Sequence, residues 1–110
     1  MTSYTAEQIE AIGGTPWTSN RTGEQRVYLN DWPTLIGLDI ERYKSGSVRS
    51  ATLGGREISN RRVGQLAAVT VYWSNGQIMT DLGTVASDAR LDGPALVAAL
   101  VAGIAARVGA

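Results

Sequence analysis

The sequence predicts an α+β fold: an antiparallel sheet of five or six strands, a meander plus a hairpin, with a C-terminal helix and one or two short helices packed on it. Three observations carry this expectation. Ile36, Leu38 and Ile40 alternate with Gly37, Asp39 and Glu41, the period of a half-buried strand. Asn75-Gly76 separates the runs 69–73 and 77–82 and is the strongest short hairpin signal in the chain. From Pro94 to Val108 the residues are mostly Ala, Val, Leu and Ile, with the bulky ones recurring at helical spacing.

Taken in order, Thr5 and Gln8 have the form of a capping box that opens a short helix over 6–12, ended by Gly13-Gly14. Residues 15–25 are polar and turn-rich, and the first strand is expected at 26–29. Pro33 makes Trp32 extended or turn-like, so 30–34 reads as a connection. The strand 36–41 then enters a meander through turns at Ser45-Gly46 and Gly54-Gly55. If both are two-residue loops, Leu38 faces Leu53, and Ile40, Ala51 and Ile58 form one apolar row. Asp39, Thr52 and Glu57 form a polar row on the other side, so the pattern and the turns agree. Ser59 or Asn60 can cap a helix over 61–68 with Val63, Leu66 and Ala67 on one side. Residues 83–93 read as loop, and Asp92 is placed to cap the last helix, which has Pro94 in its first turn. That helix carries a stripe of Val97, Leu100, Val101, Ile104 and Val108, bordered by Leu96, opposite a face of alanines. The stripe fits a core helix; the alanine face of helix 94–108 would also allow close approach of a second copy, a homodimer.

A chain of 110 residues suits one domain over 1–110. An apolar fraction of 44% with 18% charged residues describes an ordered globule rather than a disordered chain. The absence of Cys removes disulfides and thiolate chemistry, and the absence of His removes the commonest general base and metal ligand. Neither a cofactor nor a metal is called for. Met1–Ser3 begins no basic n-region and apolar h-region, and the charge-free run 93–106 is short for a bilayer, so a cytoplasmic protein without membrane contact is expected.

Charge is where the sequence says most about partners. The stretch 42–62 holds Arg42, Lys44, Arg49, Arg56, Arg61 and Arg62 against Glu57 alone, a net of +5, and the remainder carries −5. Clustered cations attract polyanions even at zero net charge. The two-residue Ser45-Gly46 turn would set Arg42 opposite Arg49 with Lys44 beside them, an unfavourable opposition unless an anion sits between. Solvated or internally paired charges, nucleic acid and an acidic protein surface are the three ways to satisfy it. Arg61-Arg62 at a helix start opposes the helix dipole by a few tenths of a kcal/mol, which allows an external partner without requiring one. Tyr43, Tyr72 and Trp73 offer stacking surfaces for bases, although strand aromatics more often belong to the core. Trp17 and Trp32 lie in turn-rich segments, where an exposed tryptophan would anchor a protein contact.

Enzyme signatures fail in turn. Leu53-Gly54-Gly55-Arg56 lacks the phosphate-loop spacing, no GxGxxG or GxSxG is present, and Asp88 and Asp92 lack the further oxygens of a calcium loop. No residue is assigned a catalytic role, and Asp39 and Glu41 read as solvated carboxylates. Zinc fingers are impossible without Cys and His, so a nucleic-acid contact would come from the β-hairpin. The segments Arg26 to Asp31, Gly37-Leu38, Arg42-Tyr43, Ser50 to Leu53 and Glu57 to Asn60 resemble small hypothetical proteins of phages and mobile elements of Gram-positive bacteria, over roughly residues 5–70. That resemblance implies a setting in which short accessory proteins bind nucleic acid or inhibit host machinery. The expected function is therefore a non-catalytic binding module contacting nucleic acid through a basic hairpin, with a protein-interaction or inhibitor role as the alternative.

Overall fold

The computed structural model describes residues 4–109; the expected lack of a secretory leader at Met1–Ser3 lies outside the described residues. The architecture is α+β, with eight antiparallel strands among the described residues divided between two sheets. The first sheet has the order β1 (Thr15–Thr18), β2 (Gln25–Tyr28), β6 (Tyr72–Ser74), β7 (Gln77–Thr80), β8 (Gly83–Ala86). The second is β3 (Leu38–Arg42), β4 (Val48–Leu53), β5 (Arg56–Glu57). The meander and the hairpin therefore belong to different sheets.

Helix α1 (Ala6–Ala11) opens with the predicted capping box, Thr5 and Gln8 exchanging side-chain bonds with each other's backbone N–H. The segment after it is a strand rather than a loop. The bond from the Ser19 N–H to the Glu24 carbonyl closes the β1–β2 hairpin, and by alternation Thr15 and Trp17 bond β2 while the backbone nitrogen of Pro16 faces away from it. Proline at an outward edge position sacrifices no ladder bond, which is why a strand survives there. The Ser19 hydroxyl accepts from the N–H groups of Arg21 and Thr22, building the turn locally.

The connection after β2 contains a one-turn helix, α2 (Trp32–Leu35). Pro33 sits in its first turn, where a missing N–H costs no helical bond, and Trp32 is buried at 4% exposure. Strand β3 accordingly starts at Leu38, and Ile36 caps α2.

The meander has the predicted register through most of its length: Leu38 with Leu53, Asp39 with Thr52, Ile40 with Ala51, and Thr52 with Glu57. Gly54 and Gly55 both have positive φ, as a two-residue turn of this hand requires. The tip of the β3–β4 hairpin differs. Tyr43 N–H donates to Ser47 O, Gly46 N–H donates to Tyr43 O, and Gly46 has φ 93°, so the loop holds three residues rather than two. Arg42 consequently pairs with Val48, and Arg49 is the extra residue of a β-bulge before Ser50 meets Glu41. The predicted Arg42–Arg49 opposition is thus corrected; the longer turn and the bulge keep the two guanidiniums from facing each other.

Helix α3 (Asn60–Ala67) is capped by the Ser59 hydroxyl, accepting from Arg62 N–H, and buries Val63 and Leu66. The β6–β7 turn is Asn75-Gly76, both with positive φ. Strand β8 stands where a loop was expected, and it carries α4 (Gly93–Val108). Asp92 occupies the N-cap position of α4 without a side-chain capping bond. The buried face of α4 is Leu96, Leu100, Gly103, Ile104 and Val108, while Val97 and Val101 of the predicted stripe are only half-buried. Gly103 explains the rotation. A Cβ there would collide with the Val85 carbonyl oxygen and lie 2.7 Å from Val85 Cγ1, so only glycine lets the helix backbone settle on β8. Leu96, Leu100 and Ile104 are fully enclosed, each contributing about 1.5–3 kcal/mol of burial. The core joins both sheets, since Val27, Leu38, Ala51, Val63, Ile78 and Leu100 belong to one cluster.

Gly103→Ala should lower stability by about 1–3 kcal/mol through overpacking, despite the higher helix propensity of alanine. Gly93→Ala, with nothing within 4 Å of its built Cβ, is the control that should not destabilise, and urea denaturation of the pair checks both. Of the described tryptophans, Trp17 is 44% exposed and Trp32 4%, so iodide should quench the emission removed by Trp17→Phe and spare that of Trp32.

Candidate nucleic-acid interface

The basic residues are set out by the second sheet and α3. Arg42 ends β3, Lys44 lies in the hairpin loop, Arg49 occupies the bulge of β4, Arg56 starts β5, and Arg61 and Arg62 stand in the first turn of α3. All six are exposed, and among the described residues none takes part in an ion pair. Each therefore keeps its charge toward solvent.

They do not form a single patch. Helix α3 packs along β4, and Gly64 lets it come close to Val48. The space left between the hairpin and the helix is a cleft of about 450 Å3 lined by Arg42, Ser47, Val48, Asn60, Arg61 and Gln65, among others. Two guanidiniums from elements nineteen positions apart in sequence, at 42 and 61, thus line one recess. Arg42 is held over its own turn by a 2.8 Å bond from Nη1 to the Gly46 carbonyl. A neighbouring cleft of about 400 Å3 contains Arg49, Ser50, Glu57, Ser59 and Asn60. Asn60 lines both clefts, and its Nδ2 donates to the Arg49 carbonyl at 3.0 Å, tying the helix start to the bulge.

Arg56 is separated from this group. It pairs with Leu53, the opposite end of β4 from the bulge, which at about 3.4 Å per residue is well over 10 Å along the strand. Lys44 and Arg62 line neither cleft. The arrangement brings together Arg42 and Arg61, sets Arg49 beside them, and leaves Lys44, Arg56 and Arg62 as flanking charge. Glu41 bonds the Ser50 hydroxyl, and Glu57 stands in the Arg49 cleft, so the Arg42–Arg61 recess is the one without a lining carboxylate. An oxyanion there would meet two guanidinium forks, the Asn60 amide and the Ser47 hydroxyl.

The aromatic residues divide differently from expectation. Tyr43 is 58% exposed beside Lys44 at the hairpin tip and accompanies the basic residues. Trp32 belongs to the core and offers no contact surface. Trp73 packs edge-to-face on Tyr4, and its indole N–H donates to the Ala89 carbonyl. Trp17 is exposed, but on the first sheet, edge-to-face with Tyr28, whose ring is in turn tilted against Tyr72. The Arg26 guanidinium lies 4.4 Å from the Tyr72 ring centre and 5.3 Å from that of Trp17. Bonding to the Glu24 carboxylate first, then to the Tyr28 hydroxyl, holds Arg26 above its ordinary pKa. Arg26 is thus an internally satisfied cation, in contrast to the six of the second sheet and α3.

Asn60 and Ser47 escaped the sequence analysis as cleft residues. Their only sequence signal is position, one beside a helix cap and one after a turn glycine, and the packing of α3 on β4 is what gives them a common wall. Compared with known proteins, the chain matches no protein-family model, no curated protein and no solved structure, so the chemistry of these residues carries the functional reading.

Proposed function

We propose that this protein is a non-catalytic binding module that contacts nucleic acid through the β3–β4 hairpin and the start of α3. The observation that carries the reading is the shared recess of Arg42 and Arg61, two exposed guanidiniums free of ion pairs among the described residues. Guanidinium forks match phosphate oxygens bidentately, and paired cations over a small concave surface suit a backbone phosphate better than a single buried carboxylate. Arg49 and Lys44 flank the recess and extend the contact along a strand of phosphates, while Tyr43 offers its ring to a base or sugar at the tip. The contacts expected here are to phosphates, so recognition would be largely indifferent to sequence. The resemblance to small phage and mobile-element proteins agrees with an accessory role of this kind.

Fluorescence anisotropy with a labelled 20-base-pair duplex and the matching single strand tests the reading. Binding at low salt should weaken as salt rises, with a log–log slope of about −0.9 per duplex phosphate contacted and about −0.7 for single strands. Arg42→Ala combined with Arg61→Ala should reduce the magnitude of that slope by about 2 for duplex DNA, while Arg56→Ala, far along the sheet, changes it by less than one such contact. Absence of binding to either probe at 25 mM salt would overturn the proposal, and recovery of a defined protein partner dependent on the same two arginines would replace it with the interaction reading.

A further inference from the structure

A second concavity lies on the first sheet and shares no residue with the two basic clefts. Its volume is about 710 Å3, within the range of small-molecule sites. The strand register explains why it exists. Pro16 pairs with Val27, Val27 with Trp73 and Trp73 with Ile78, so these four side chains form one cross-strand row on the core side of the sheet. At the far end of that row Ile78 is fully buried, and helix α4 lies against the next strand, β8. Toward Trp73, Val27 and Pro16 the cover passes to α1 and the segment 88–91, and between them the floor stays open.

The walls are fixed by hydrogen bonds. The Trp73 indole N–H donates to Ala89 O at 2.8 Å, the Ala89 N–H donates to Gly76 O at 2.6 Å, and the Leu91 N–H donates to the Tyr4 hydroxyl at 3.2 Å. The segment 88–91 is thereby pinned to the β6–β7 hairpin on one side and to Tyr4 on the other. Tyr4 stands edge-to-face to Trp73, at 85° and 5.6 Å between centroids, which leaves two perpendicular ring surfaces beside the cavity. Asn75 and Asp88, the two non-glycine residues with positive φ among the described residues, both line it. A tight hairpin turn accounts for Asn75. Asp88 follows no such turn; its conformation delivers Ala89 to its two backbone bonds, so backbone strain is accepted to hold this wall in place.

The chemistry of the lining selects the ligand. Trp73, Tyr4, Pro16, Ile9 and Leu91 present flat or aliphatic surface suited to a ring. Three charged residues line it, Arg26, Asp88 and Arg90, but the Arg26 guanidinium is turned to the outer face of the sheet among Trp17, Tyr72 and Glu24. Arg26 is engaged by Glu24, whereas Arg90 is exposed and in no ion pair among the described residues, so Arg90 is the group available to an incoming anion.

We propose that this cavity binds a small aryl carboxylate, its ring against Trp73 and its carboxylate turned outward to Arg90. The site is independent of the basic clefts, and its test is separate. 2-Naphthoate and its neutral counterpart 2-naphthamide, titrated into the full chain by calorimetry, should both bind at one saturable site, naphthoate more tightly. Arg90→Gln should weaken naphthoate about tenfold, in keeping with loss of a charge-assisted hydrogen bond, and leave naphthamide within about twofold. Gln25→Trp, at an exposed lining position, should abolish binding of both, with an unchanged melting temperature showing that the fold is intact. In 1H–15N spectra the Trp73 indole resonance should shift on naphthoate addition while that of Trp32 stays in place. No saturable binding of naphthoate at millimolar concentration, equal affinity for the two ligands, or full binding retained by Gln25→Trp would each overturn the proposal.

Discussion

The fold depends on one long-range pairing, that of β2 with β6. Val27 meets Trp73, Tyr28 meets Tyr72, and the Leu29 N–H bonds Val71 O. These contacts close a loop running from Tyr28 to Tyr72, at an entropic cost on the order of 3 kcal/mol beyond the constant term. Burial of Leu29 and Val71, each about 1.5–3 kcal/mol, opposes that cost and exceeds what the cross-strand tyrosine pair adds, about 0.2–1 kcal/mol. Without the seam, β1–β2 and β6–β7–β8 would be two separate small ribbons, and isolated hairpins are marginal in water. With it, the inserted segment must leave and re-enter at the same place, and it does so as a sheet and two helices of its own.

That insertion explains the distribution of charge. Exposed ion pairs contribute only about 0–1 kcal/mol, so little stability is forgone by leaving six cations unpaired on the outlying sheet, its hairpin loop and α3. On the main sheet the opposite solution holds: Arg26 lies between Trp17 and Tyr72 with Glu24 as its counter-ion, and its stem covers part of the outer face of the strands. One arginine is structural because the strands around it supply rings and a carboxylate. Arg42 and Arg61 are available because, among the described residues, neither meets a carboxylate or lies over a ring; the nearby Glu41 carboxylate takes the Ser50 hydroxyl instead.

Much of this was legible in the sequence where the determining forces are local. Alternation at 36–41, the two glycine turns and the Thr5 and Ser59 caps specify the meander and two helices, since each depends on residues a few positions apart. Sequence says less where a distant partner decides. Strand β8 and the buried side of α4 define each other through Gly103 and Val85, and neither segment alone shows it. Residues 15–18 carry a proline and are exposed along their length, so only pairing with β2 marks them as a strand. At the hairpin tip, one additional loop residue was enough to move Arg49 into a bulge. The basic residues could be counted from the sequence, but the recess shared by Arg42 and Arg61 required the docking of α3 on β4.

The two concave regions follow different physics, and the β2–β6 seam is the reason both can exist. The basic clefts lie on the inserted segment, built from long, solvated side chains whose attraction for any anion falls as salt rises. The cavity beside Trp73 lies at the seam itself, on a row of side chains fixed by strand register and walled by three specific hydrogen bonds. Its shape is therefore set before any ligand arrives, which reduces the ordering cost of binding and favours a rigid ring over a flexible chain. Loosening the seam would alter the floor of the cavity directly, through Val27 and Trp73, but would reach the Arg42–Arg61 recess only by way of the shared core. The inserted sheet can thus vary its surface charge without disturbing the cavity, because the residues that carry that charge contribute nothing to the register that shapes it.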